Sequence, residues 1–107
     1  MIILTPKDAY KKCKNENRRI LDLEYIIAKE APYAYLYAFR VIKDRFFIGE
    51  KKISEDAEIS YLYARDVVKD VFPISHGVIF YSDWKEKYLL FLNSINFDLE
   101  NIKEWLI

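Results

Sequence analysis

Apolar positions in this chain come in blocks at a nearly fixed spacing. A short joint of the form apolar-x-apolar appears at Leu21-Asp22-Leu23, Phe46-Phe47-Ile48, Phe72-Pro73-Ile74 and Phe97-Asp98-Leu99. The steps between the starts of successive joints differ by no more than one position. Between the joints, the run from Tyr35 to Asp44 returns as the run from Tyr61 to Asp70. Self-similarity at such a period is the mark of stacked supersecondary units, none of which can bury its apolar face alone. A longer segment precedes each joint, near 6–18, 32–44, 57–70 and 83–94. A shorter one follows, near 24–29, 49–55, 75–81 and 100–107.

Start signals for helices fall at matching places. Thr5-Pro6-Lys7-Asp8 offers a hydroxyl N-cap, proline in the first turn and an acid beside the positive end of the helix dipole. Pro32 follows Glu30-Ala31, Asp56 and Ser82 stand as N-caps in register with the repeat, and Asp98 or Asn96 can cap the last segment. In 32–44 and 57–70 the apolar residues cover most of the helical circumference, as in helices packed on several sides. Ala34/Ala38 and Ser60/Ala64 give each a small-residue edge for close approach, and Arg40 aligns with Asp66 as an expected surface pair. The first long segment is polar, as a cap should be, and Trp105-Leu106-Ile107 is expected to close the core. Val78-Ile79-Phe80 and Phe46-Phe47-Ile48 have strand propensity, but two glycines in 107 residues and no Asn-Gly or Asp-Gly turn argue against hairpins. The expectation is one all-α domain over 1–107. It would be a small helical-repeat bundle or solenoid of about four long-helix/short-helix units, with a period of about 25–26 residues.

Composition adds limits. No apolar run is long enough for a membrane span, and the Met1-Ile2-Ile3-Leu4 start lacks the features of a secretion signal. One cysteine, Cys13, makes neither an internal disulfide nor a metal site, and a reducing cytoplasm is the expected setting. Formal charge is zero but unevenly spread. Residues 1–20 hold six basic and two acidic side chains, a net of +4, and residues 54–107 hold five basic and ten acidic, a net of −5.

The run Tyr61-Leu62-Tyr63-Ala64-Arg65-Asp66-Val67-Val68-Lys69-Asp70, the aromatic joint, Gly49-Glu50 and Ile53 resemble a repeat in uncharacterised tandem helical-repeat proteins of bacteriophages, large DNA viruses and some bacteria. The resemblance covers residues 24–76; Phe72-Pro73 matches the family's phenylalanine-proline turn, and Phe46-Phe47 departs from it. It implies a phage or viral setting for a small cytoplasmic accessory protein, and modulation of a host factor by binding it is the role expected in that setting. It implies no activity.

Candidate chemistry is sparse. His76, the one histidine, aligns with Glu50 of the preceding unit and lacks a placed catalytic partner. Glu55-Asp56-Glu58 suits a helix start, and Asp66/Asp70 alternate with Arg65 and Lys69 as on a solvated face. No phosphate loop, metal-ligand spacing or nucleophile set is present, so no catalytic, cofactor or metal residue is assigned. Binding is the better expectation. Lys7, Lys11, Lys14 and Arg18 follow i, i+4, i+7, i+11 and share a helical face. Tyr33, Tyr37 and Tyr63 are candidate contact residues on a repeat face. The chain is therefore expected to be a non-enzymatic protein-binding scaffold. A nucleic-acid-binding regulator using the basic helix is the alternative, and head-to-tail self-association through the oppositely charged ends is a further expectation.

Overall fold

Thr5 opens the first helix as its hydroxyl accepts the Asp8 N–H at 3.1 Å, and Pro6 supplies the first helical residue, which has no use for an N–H. The computed structural model describes residues 4–106; Met1, Ile2, Ile3 and Ile107, which enter the readings above, lie outside them. Helix α1 spans Pro6–Glu16 and α2 Leu21–Ile27. Helix α3, Ala31–Tyr37, runs on into a wider π turn, Ala38–Ile42. A 3-10 turn, Phe47–Gly49, leads into α4, Glu50–Ile53. Helix α5, Ala57–Tyr63, again ends in a π turn, Ala64–Val68. A second 3-10 turn, Pro73–Ser75, leads into α6, His76–Ile79. Helix α7, Lys85–Ser94, and a 3-10 segment, Leu99–Trp105, complete the chain.

The fold is all-α, with no strand among the described residues. The strand-prone pieces at 47–49 and 77–79 lie in short helical turns. No helix among the described residues is long and apolar enough to cross a membrane. The expected segment boundaries hold to within a few residues.

Each long helix ends in a wide closure with a left-handed residue, which is the donor itself after the two π turns and the residue before the donor at the other two ends. The N–H of Arg18, Lys43, Lys69 and Phe97 reaches back five residues to the carbonyl of Cys13, Ala38, Ala64 and Leu92, at 3.1, 2.7, 2.7 and 3.0 Å. Asn17, Lys43, Lys69 and Asn96 take the left-handed conformation that such closures need, with φ of 51°, 60°, 59° and 61°. The four receiving residues are fully buried. So are Ala9, Ala34 and Ser60, one turn earlier in α1, α3 and α5. Small side chains thus line the faces on which α1, α3 and α5 pack side by side, and the Ser60 hydroxyl donates to the Ile53 carbonyl at 2.7 Å. Consecutive units extend the molecule to 52 × 22 × 18 Å.

Some expectations need correction. The joints do not align as Leu21 with Phe46. Arg19/Arg45 and Glu24/Glu50 occupy equivalent places, so Ile20 stands where Phe46 does and the first step equals the second. Ser82 does not cap α7. It accepts the Trp84 N–H at 3.1 Å and donates to the Ile79 carbonyl at 2.8 Å, holding a turn before the helix. Asp66 does not pair with Arg40; it binds Arg65 at 2.7 Å and receives the Tyr35 hydroxyl at 2.6 Å. Asp56 and Asp98 cap as expected. Trp105 closes the core by stacking on Phe80 at 5.8 Å, while Leu106 faces solvent.

The two glycines test this packing in opposite directions. A Cβ on Gly49 would sit 2.6 Å from the Phe46 ring and 3.0 Å from Ala34, whereas one on Gly77 would meet nothing within 4 Å. Gly49→Ala should lower unfolding free energy by about 1–3 kcal/mol through overpacking. Gly77→Ala should raise it by up to about 1 kcal/mol through helix propensity. Urea titrations of both variants check the pair.

Candidate interaction surfaces

One polar cluster recurs inside the stack. The Tyr63 hydroxyl accepts the Phe46 N–H at 2.8 Å and donates to Glu50 Oε2 at 2.6 Å. Arg45 grips the same carboxylate with two bonds, at 2.8 and 2.7 Å. In the first unit Tyr37 donates to Glu24 at 2.6 Å, and Arg19 holds that carboxylate at 2.8 and 3.0 Å. In the third unit Tyr88 accepts the Phe72 N–H at 2.9 Å and meets His76 Nε2 at 2.8 Å. Each cluster ties a long helix to the short one before it through a hydroxyl that can both accept and donate.

This placement overturns two of the site assignments. Tyr37 and Tyr63 are fully buried, out of reach of a partner. Burial and the neighbouring carboxylates push both phenols well above their ordinary value. Burial also pushes the Glu24 carboxyl up, but the Arg19 guanidinium and Tyr37 hydroxyl outweigh it and leave the group below its usual value. Tyr33 is half-buried against Tyr10, with ring centroids 6.1 Å apart. The most exposed tyrosines are Tyr25 and Tyr81, which periodicity did not single out.

His76 is buried, with Phe80, Tyr88 and Trp105 edge-on around its ring at 5.0–5.8 Å. Burial lowers its pKa, and the nearby Glu104 carboxylate opposes the fall. Burial raises the Tyr88 phenol to about 12, and Asp70 is the charged group acting on it. The imidazole fills the structural place of Glu50, and its Nε2 is committed to Tyr88. Among the described residues no group of His, Cys, Asp and Glu could hold a metal ion.

Two surfaces on the long helices are open to contact. On α1, Lys7, Lys11 and Lys14 are exposed on one face and have no ion-pair partner among the described residues. Arg18 does not extend this face. It lies past the left-handed Asn17 and turns to Glu16 at 2.9 Å, as Lys12 does at 2.8 Å.

The second surface is a groove of about 660 Å³ between α5 and α7. Tyr61 and Trp84 stack across it at 5.6 Å, Arg65 lies 5.4 Å over Tyr61, and Lys87 lies 4.6 Å over Trp84. Leu62 and Phe91 line it, and Leu90 stands 70% exposed at its edge. Sequence reasoning missed this groove. The aromatic-to-cation spacings, i to i+4 from Tyr61 to Arg65 and i to i+3 from Trp84 to Lys87, were the available signal. Comparison with family models, curated proteins and solved structures finds no match at a significant level.

The buried clusters make two predictions. Tyr63→Phe strands the buried Phe46 N–H and leaves Glu50 Oε2 with the Arg45 Nε bond alone, and should cost about 1–3 kcal/mol in a urea titration. Tyr10, whose buried hydroxyl has no partner among the described residues, should show the reverse: Tyr10→Phe is neutral or stabilises by up to about 1 kcal/mol. The histidine gives a pH dependence. Below the ordinary value of about 6.5 the unfolded chain protonates first, so stability should fall until native His76 also protonates. Glu24 and Asp66, held low in the native state, withdraw their stability only below about pH 4.5. Thermal melts of His76→Gln against pH should lack the upper step and keep the lower one.

Proposed function

We propose that the chain is a non-enzymatic scaffold that binds another protein, in the setting its repeat resemblance implies: a phage or viral modulator of a host factor. The observation that carries this reading is the α5–α7 groove. Its rings are held at low entropy cost by stacking and by cations, and an exposed leucine stands at its edge. Aromatic anchors beside apolar side chains and an arginine are the usual makings of a protein hot spot. The polar atoms inside the stack are committed to holding units together, which leaves binding to the surface.

The three unpaired lysines of α1 favour a second reading, a nucleic-acid-binding regulator. Three phosphate contacts would give weak, strongly salt-dependent binding, and the near-neutral chain adds little background attraction. The protein-binding reading is therefore preferred.

Affinity capture from a host lysate, with and without nuclease, tests the two readings. The expected result is a stoichiometric protein that survives nuclease and is lost with Leu90→Glu. The double charge reversal Lys11→Glu/Lys14→Glu should slow association of that protein without unfolding the chain. Partners that vanish with nuclease and with the lysine reversal, but survive Leu90→Glu, overturn the protein-binding reading in favour of nucleic acid.

A further inference from the structure

A 3-10 turn brings residues i and i+3 to one side and turns the two between them away. In the second joint the inward pair is Phe46 and Gly49, and in the third it is Phe72 and Ser75; all four are buried. The residues between are left facing out: Phe47 and Ile48 in one joint, Pro73 and Ile74 in the other. Leu21 takes the equivalent place in the first joint. Leu21, Phe47, Ile48 and Ile74 are 72, 70, 60 and 59% exposed. The fold does not require apolar residues there, since Asp22 serves in the first unit where Ile48 stands in the second.

The first joint packs on the second, with α2 against the Phe47–Gly49 turn, and the third repeats the turn of the second; equivalent positions of stacked units fall along one edge, which gives an apolar line with Phe47 and Ile48 in the middle. Arg45 lies over the Phe47 ring at 4.9 Å, its guanidinium already satisfied by Glu50. A line of large exposed side chains on so small a chain marks a contact surface.

Charge indicates what covers it. The chain runs from a net +4 over residues 1–20, through +1 over residues 21–53 (six basic and five acidic), to −5 over residues 54–107. The stack thus has a basic and an acidic end. We propose that the line is covered by the same line of a second copy lying antiparallel, about a two-fold axis at Phe47 and Ile48. In this pairing Phe47 and Ile48 meet their own counterparts, and Leu21 meets Ile74 of the second copy. Each basic end then lies beside the other copy's acidic end, twice over, whereas a parallel pairing would set like charge beside like. The two-fold closes on itself, so assembly stops at two copies. A head-to-tail contact of the charged ends would not close. The dimer uses neither the α5–α7 groove nor an outside partner, so it stands or falls apart from the proposed scaffold function.

Sedimentation velocity over a wide concentration range, joined to disulfide trapping, tests this. The native chain should shift from one copy to two and no further. Phe47→Glu/Ile48→Glu, at exposed positions, should keep the helical circular dichroism and weaken the dimer at least about tenfold. Cys13 is fully buried and its thiol is pushed up by burial, so it stays silent in trapping. Ile48→Cys should link to itself, and Leu21→Cys should link to Ile74→Cys faster than to itself. A dimer indifferent to Phe47→Glu/Ile48→Glu, or Leu21→Cys linking faster to itself, overturns the pairing. So does a chain that stays monomeric throughout, in which case the line belongs to a foreign apolar surface.

Discussion

The phenolic hydroxyl buried between each of α3, α5 and α7 and the joint before it is the contact on which the rest of the stack depends. It is a donor and an acceptor at one point, and the structure uses both capacities. At Tyr63 and Tyr88 the acceptor lobe takes the N–H of the buried joint phenylalanine; the Tyr63 proton goes to Glu50, the first residue of its short helix, and Tyr88 shares a hydrogen bond with His76 Nε2 in the same place. A carboxylate in that place would carry a large desolvation cost alone. Arg19 and Arg45 offset it by two bonds each, with their stems against protein and their heads partly in water. Such a cluster contributes less net stability than its bond count suggests. It fixes where the joint sits, because a joint displaced by one residue would bury an unpaired charge.

The third unit shows what the cluster can lose. Val71 replaces the arginine and His76 the glutamate, so the charge pair goes but the hydroxyl bridge between backbone and side chain stays. A neutral imidazole needs no arginine, and the freed space is filled by Phe80 and Trp105. The same exchange makes the acidic end of the molecule sensitive to mild acid, where the basic end responds only at the pH of carboxylates.

How far the sequence disclosed this depends on what each signal measures. The period, the helix limits and the small-residue edge were legible because caps and left-handed closures obey local rules: Thr5, Asp56, Asp98 and the pair Ala34/Ala38 say the same thing locally and globally. The fates of Tyr37 and Tyr63 were not. A tyrosine in a repeat suits a wet surface and a polar core equally, and the difference is a glutamate on the preceding short helix that only packing brings near. The one-residue slip in the first joint has a similar origin. Leu21-Asp22-Leu23 reads as the apolar pattern, but Arg19 and Glu24 set the register. Asp66 went to Arg65 and Tyr35 because adjacent and stacked groups reach it with less ordering than Arg40. The α5–α7 groove needs two helices that the third joint and α6 separate in the chain, and no period announces it.

A stack of this kind couples each unit to its neighbours and to little else, so its ends are held more weakly than its middle. Tyr10 in α1 shows the consequence at the first end, a buried hydroxyl with no partner among the described residues. The second end relies on Trp105, on a 3-10 segment, rather than on a further long helix. A second copy laid along the joints would change that balance. It would touch the first, second and third joints at once, units that in one chain communicate only through intervening packing. Binding energy gained along that edge adds directly to the stability of all of them, because only the folded joints present Leu21, Phe47, Ile48 and Ile74 in one line. The outward apolar residues of the joints, which the core does not need, would then do for the stack as a whole what the buried hydroxyls do for each neighbouring pair.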